Sequence, residues 1–127
     1  MKTVIAAIIE RDGRFLLARR APGQSLAGHW EFPGGKLEQD ETPEQCLERE
    51  LKEELDLEAK TTSFFCETDY RYDKGEIKLV AYRAEVIGGQ ISLSVHDQIV
   101  WLCPEEMNSV NLAPADVSIV EALRTHK

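Results

Sequence analysis

Apolar residues in this chain come mostly in short runs broken by turn residues, and in two stretches they recur at helical spacing instead. Residues 3–9 (TVIAAII) are mostly β-branched and apolar, and residues 14–18 (RFLLA) form a second run. With Arg11-Asp12-Gly13 as a turn between them, they predict a hairpin. Pro22, Gly23, Gly28, Pro33 and Gly34 mark residues 20–34 as a long surface loop. A loop of that length in a small domain is more often functional than idle.

Thr42-Pro43-Glu44-Gln45 is a helix start: Thr42 caps, Pro43 suits the first helical position, and Gln45 completes a capping box. Cys46, Leu47, Leu51 and Leu55 then form an apolar stripe, so the helix is predicted to run to about Leu55. Residues 63–72 and 76–86 predict two strands around an Asp73-Lys74-Gly75 turn, with Gly88-Gly89 as a further turn. Residues 91–93 and 99–103 predict short strands, and residues 104–107 one helical turn. Residues 115–124 predict a closing helix with Val117, Val120, Ala122 and Leu123 facing inward. Strands framing helices in this order imply an α/β sandwich of the α+β type with a mixed sheet. No repeat or linker interrupts residues 1–127, which read as a single domain.

A net charge of -8 excludes a generally basic surface of the kind that binds a nucleic acid polymer or an anionic membrane. It leaves room for a small phosphorylated substrate whose charge a metal and one or two arginines offset. The 3 cysteines, Cys46, Cys66 and Cys103, lack metal-ligand spacing and read as small apolar side chains in a reducing compartment. The first ten residues do not form a secretory signal, and no run approaches the ~20 apolar residues of a membrane span. The expected location is the cytoplasm.

The chemistry concentrates around the first helix. Glu50, Glu53 and Glu54 are spaced i, i+3 and i+4 and so share a face beside the leucine stripe, with Glu41 just ahead of the helix. Like charges packed this closely cost stability unless a positive charge sits among them, and a hard divalent cation with oxygen ligands is the simplest one. A solvated acidic face on a protein-interaction domain is the alternative.

Gly35, Glu41, Arg49, Glu50, Leu51, Glu53, Glu54 and Leu57 fall in register on the pattern G-x5-E-x7-R-E-U-x-E-E-x-G-U, with U a bulky aliphatic residue. The segment therefore resembles the Nudix box. Asp56 departs from it, standing where the box has Gly; Asp tolerates the left-handed conformation that ends such a helix better than most residues. The resemblance implies a Nudix-like α/β/α sandwich. It also implies that Glu50, Glu53 and Glu54, helped by the Gly34 carbonyl, bind Mg2+ or Mn2+. Arg49 would pair with Glu41 to shape the loop-helix junction, or form a helix ion pair with Glu53. Glu50 or Glu53 would take the proton from the attacking water, with Glu50 preferred. In some family members a Glu-His pair ahead of a late Trp supplies a base or ligand; here His96 matches, Val95 replaces the Glu, and Asp97 is a loop residue or its substitute.

Leu17-Ala18-Arg19-Arg20-Ala21, Trp30-Glu31-Phe32-Pro33-Gly34-Gly35 and Leu112-Ala113-Pro114-Ala115-Asp116 extend the likeness to MutT-like nucleoside triphosphate pyrophosphohydrolases. That implies a phosphate contact for Arg20, or a surface salt bridge, and a cleft lined by Glu31, Phe32, Pro33 and Gly34, with Phe32 either at the ligand or in the core. Asp116 stands where members acting on 8-oxo-dGTP carry a base-reading Asn, whereas CTP-type members carry Asp; it also suits a helix N-cap. Arg71 either helps read the base or is an exposed strand residue. The expected activity is Mg2+-dependent hydrolysis of a modified nucleoside triphosphate, 8-oxo-dGTP first and CTP or dCTP second, to monophosphate and pyrophosphate. A non-catalytic nucleotide-binding module is the alternative of another class. Monomer and homodimer are both open.

Overall fold

Ile5, Ala7 and Ile9 point to one side of the N-terminal segment and Ala6 and Ile8 to the other, and none of the five is exposed. In the computed structural model, which describes residues 2–125, this segment is therefore an interior strand. β1 (Lys2–Ile8) lies between β5 (Gly34–Lys36) and β7 (Gly75–Gly89), and β6 (Leu57–Tyr72) closes that sheet on the far side of β7. β1 and β7 run parallel while the other pairs are antiparallel, so the sheet is mixed. A second sheet joins β2 (Glu10–Arg11), β3 (Arg14–Arg20) and β4 (Trp30–Glu31), with β8 (His96–Leu102) on β3.

The two faces of β1 divide the core. On one, Ile5, Ala7 and Ile9 pack with Cys46, Leu47, Leu51 and Leu55 of α1 (Pro43–Leu55). On the other, Ala6 and Ile8 pack with Phe15, Phe32, Met107 and with Ile119, Val120 and Leu123 of α2 (Val117–Thr125). The result is the mixed α+β sandwich. Short 3-10 turns at Pro104–Ser109 and Pro114–Asp116 precede α2. No helix among the described residues is long and apolar enough to cross a membrane.

Local signals in α1 act as expected. Thr42 accepts from Gln45 N while the Gln45 side chain accepts from Thr42 N, and Asp56 ends the helix at φ 57 and ψ 32 with its N–H on Leu51 and Lys52 carbonyls. The Asp in place of Gly thus adopts the left-handed cap, and Lys52 Nζ pairs with it at 2.9 Å.

Several expectations are corrected. The turn at Arg11-Asp12-Gly13 forms, but the strand it pairs with β3 is β2 and not β1; β1 belongs to the other sheet, because a strand apolar on both faces needs cover on both. β6 begins at Leu57 rather than Ser63 and carries three register irregularities, while β7 continues through Gly88-Gly89, with Leu57 opposite Gly89. Residues 91–93 form no strand; Ser92 N instead donates to Leu55 O, fastening the segment to the end of α1. In α2 the inward set is Ile119, Val120 and Leu123, Ala122 is only partly covered, and Val117 is 41% exposed. Asp116, Ile119, Val120 and Leu123 are spaced i, i+3, i+4 and i+7, so Asp116 starts the buried stripe.

Leu51 is fully buried between α1 and β1. Leu51→Ala should lower unfolding free energy by about 3 kcal/mol, through lost transfer energy plus the cavity left behind. Urea denaturation measures it, and a loss near zero would mean α1 is not anchored as described.

Candidate active site

The ends of several strands meet at one edge of the sandwich. Ala18 of β3 pairs with Glu31 of β4, and Arg20 pairs with His96 of β8 just beyond a register irregularity at Arg19/Arg20. Residues 111–113 are stitched to β4: Trp30 N donates to Asn111 O and Ala113 N to Trp30 O, each at 2.8 Å. That fixes where Asp116 arrives, and its Oδ2 accepts from Phe32 N at 2.8 Å.

Gly34 and Gly35 bring β5 against its neighbours. A Cβ on Gly34, at φ +155, would lie 1.9 Å from Ile5 O, and one on Gly35 would lie 1.5 Å from Glu50 Oε2. Only glycine leaves room for the Glu50 carboxylate to rest on the β5 backbone.

Arg49 is the hub of the acidic cluster. Its guanidinium holds both oxygens of Glu41, at 2.6 and 3.1 Å, and donates to Glu50 Oε1 at 2.6 Å and Glu53 Oε2 at 3.0 Å. Glu38 lies 3.2 Å away. Glu41 is pulled down to about 2, first by the Arg49 hydrogen bond and then by Glu38 N. Burial pushes Glu50 up against the opposing pull of Arg49. Arg49 therefore pairs with Glu41 and with Glu53 at once, so both expected roles coexist.

Glu54 is different. Its Oε1 is buried with no hydrogen-bond partner among the described residues. Burial, then the Glu50 charge, raises its pKa to about 7; Glu31 adds to this, while His96 and Arg20 oppose it. The charged groups of the second sheet that act on Glu54 are thus Arg20, Glu31 and His96. As the side chains stand, no three Asp, Glu, His or Cys groups among the described residues close into a cation cage, because Arg49 holds Glu50 and Glu53. The donor set nonetheless fits a hard cation: it is all oxygen, its carboxylate charge is in excess, and one buried oxygen has no partner among the described residues.

The remaining expected residues divide. Arg20 Nη1 donates to Glu31 Oε2 at 3.2 Å, and its other nitrogens reach Ser25 and Gln24 across the following loop. Phe32 is 3% exposed in the α2-side core and Pro33 is fully buried, so neither presents side-chain surface to a ligand. What they offer is backbone: Phe32 N on Asp116, and Pro33 O on Ala7 N. Asp116 is buried, which raises its pKa to about 8 despite the Phe32 N–H, with Glu31 adding to the rise. Asp97 is held by Arg19 through two hydrogen bonds, and Arg71 is an exposed residue paired with Glu76 across the β6–β7 hairpin. Cys46 is buried, donating toward the Gly35 and Lys36 carbonyls, and Cys66 and Cys103 are partly covered. His96, matched to the family's Glu-His pair, is the buried first residue of β8, 2.8 Å from Glu31, and Asp97 lies on the same strand rather than in a loop.

The profile of the family described as "NUDIX domain" matches residues 1–123. The chain belongs to the Nudix family. It is 43% identical over 122 residues to the "CTP pyrophosphohydrolase" of Escherichia coli (strain K12), covering 96% of this chain and 90% of that protein. It is 30% identical to the "8-oxo-dGTP diphosphatase" of Haemophilus influenzae, covering 94% and 89%. The solution structure of the E. coli ORF135 protein superposes with a TM-score of 0.85 at 42% identity, covering all of this chain and 93% of that one. The Nudix fold accounts for both layers around the mixed sheet, and Nudix enzymes use divalent cations such as Mg2+.

Glu54 gives a test that needs no substrate. A carboxyl whose pKa is higher folded than unfolded opposes folding increasingly as pH climbs from its ordinary value toward about 7. Without divalent cations, the wild-type Tm should fall over that window, and Glu54→Gln, with no proton to lose, should fall less. Above pH ~7 Mn2+ should raise the wild-type Tm and leave Glu54→Gln nearly unchanged. A variant answering Mn2+ as the wild type does would remove Glu54 from the ligand set.

Proposed function

We propose that this Nudix enzyme hydrolyses a nucleoside triphosphate to the monophosphate and pyrophosphate, and that its first substrate is an oxidised purine nucleotide such as 8-oxo-dGTP. The observation that carries the reading is the buried Glu54 oxygen within the α1 carboxylates, without a partner among the described residues and within the electrostatic influence of Arg20, Glu31 and His96. Gly34, Glu50, Glu53 and Glu54 would hold the cation. A bound Mg2+ or Mn2+ would lower the pKa of a coordinated water and neutralise charge on departing pyrophosphate.

The chain's own groups do the rest. Glu50 accepts the proton of the attacking water. Burial raises its proton affinity, whereas Glu53 stands half in solvent. Arg49 and Glu41 keep α1 and the loop before it in one arrangement. Arg20 meets the phosphates by exchanging its long contacts to Gln24 and Ser25, both 3.5 Å, for phosphate oxygens.

Asp116 supports the choice of base. An ionised carboxylate only accepts, but a neutral acid donates through one oxygen and accepts through the other, as an amide does. With its pKa at about 8, Asp116 is mostly neutral at pH ~7, which gives it the hydrogen-bonding character of the Asn expected in 8-oxo-dGTP enzymes. The second reading, CTP or dCTP, is favoured by the 43% identity to a CTP pyrophosphohydrolase. An ionised Asp116 accepting from the cytosine amine suits it.

Pyrophosphate release should require Mg2+ and stop with EDTA; a protein that binds nucleotide without releasing pyrophosphate would be a binding module instead. The ratio of kcat/KM for 8-oxo-dGTP to that for CTP should fall as pH rises through about 8, where Asp116 loses its donor. Asp116→Asn should make that ratio independent of pH. A ratio flat in the wild type would take Asp116 out of base reading.

A further inference from the structure

His96 is 3% exposed, and its ring makes a single hydrogen bond among the described residues: Nε2 lies 2.8 Å from Glu31 Oε2. An ionised carboxylate oxygen can only accept, so Nε2 carries the hydrogen. Nδ1 is buried with no partner among the described residues. Leaving a ring nitrogen unsatisfied costs the fold, and the bond to Glu31 is the compensation within reach.

That Glu31 oxygen is shared. Arg20 Nη1 donates to it at 3.2 Å, so one carboxylate oxygen joins His96 to Arg20. The backbone prepares the arrangement, with Arg20 opposite His96 on β3 and β8, and the bulge at Arg19/Arg20 re-aiming the Arg20 side chain. Among the described residues Arg20 is tied elsewhere only to Ser25 and Gln24 of the loop that follows it. Its side-chain anchor on a strand is Glu31, and among the described residues the other strand side chain bonded to Glu31 is His96.

We propose that His96 is a positioning residue for phosphate binding: it fixes the Glu31 carboxylate, and Glu31 in turn holds the Arg20 guanidinium toward the α1 carboxylates. The inference rests on the pyrophosphohydrolase reading, in which Arg20 meets the substrate phosphates. It makes His96 neither a proton acceptor nor a cation ligand.

The test is steady-state kinetics with a nucleoside triphosphate that the wild type turns over. His96→Leu should raise KM about tenfold, the loss of one charge-assisted hydrogen bond, with kcat within about twofold. His96→Gln, which carries an N–H at the reach of Nε2, should restore most of the loss. In an Arg20→Ala background His96→Leu should change KM by less than about twofold, because the two act in series. If circular dichroism and Tm show that the Leu variant does not fold, His96→Asn, polar but too short to reach Glu31, replaces it. The proposal is overturned by an unchanged KM in a folded variant, by a loss confined to kcat, by failure of Gln to restore, or by additivity with Arg20→Ala. A wild type inert toward every nucleoside triphosphate would remove the hydrolase reading and this inference together, whereas an active wild type matched by His96→Leu would remove this inference alone.

Discussion

Arg49 carries one positive charge into a group of carboxylates that would otherwise repel one another. Its planar fork reaches Glu38, Glu41, Glu50 and Glu53 simultaneously, which a lysine's point charge would not do with the same geometry. Through Glu41 it ties the loop ahead of α1 to the helix, and through Glu50 it holds a carboxylate on the β5 backbone. Glu54, out of its reach, is the member left uncompensated. One guanidinium offsets only part of the charge of the four carboxylates it touches, so the cluster as a whole stays strongly negative.

The scaffold explains why that arrangement is rigid. β1 has no polar face, so it is covered on both sides, by α1 on one and α2 on the other. β5 pairs with it through glycines that admit no side chain, which sets the distance between the sheet and α1. The second sheet then brings Arg20, Glu31 and His96 together from β3 and the two strands paired with it. Each half is built on paired strands or a capped helix.

What could be read from the sequence follows the range of the forces involved. α1 was legible to its last residue because its cap, its proline, its leucine stripe and its left-handed Asp56 all act within a few residues of one another. Glu41, Arg49, Glu50, Glu53 and Glu54 were legible for the same reason. The partner of β1 was not, since residues 3–9 and 14–18 look like an ordinary hairpin until the need to cover both faces is weighed. The burial of Asp116 was within reach: it begins the i, i+3, i+4, i+7 stripe of α2, but counting Val117 as inward shifted the phase. His96 gave only a weak sign, because its partner Glu31 is 65 residues away and the two meet through β3, a strand that neither belongs to.

β6 is the outermost strand of the mixed sheet and the longest in the molecule at 16 residues. A straight ribbon of that length would offer a foreign chain a continuous ladder of free amides and carbonyls. Its register breaks at Glu58/Ala59, Thr61/Ser63 and Phe64/Cys66 interrupt the first part of the strand, and Glu48 reaches over to cap the Thr61 amide. A passing strand could not run the whole border in one register, so these breaks oppose fibril growth along it.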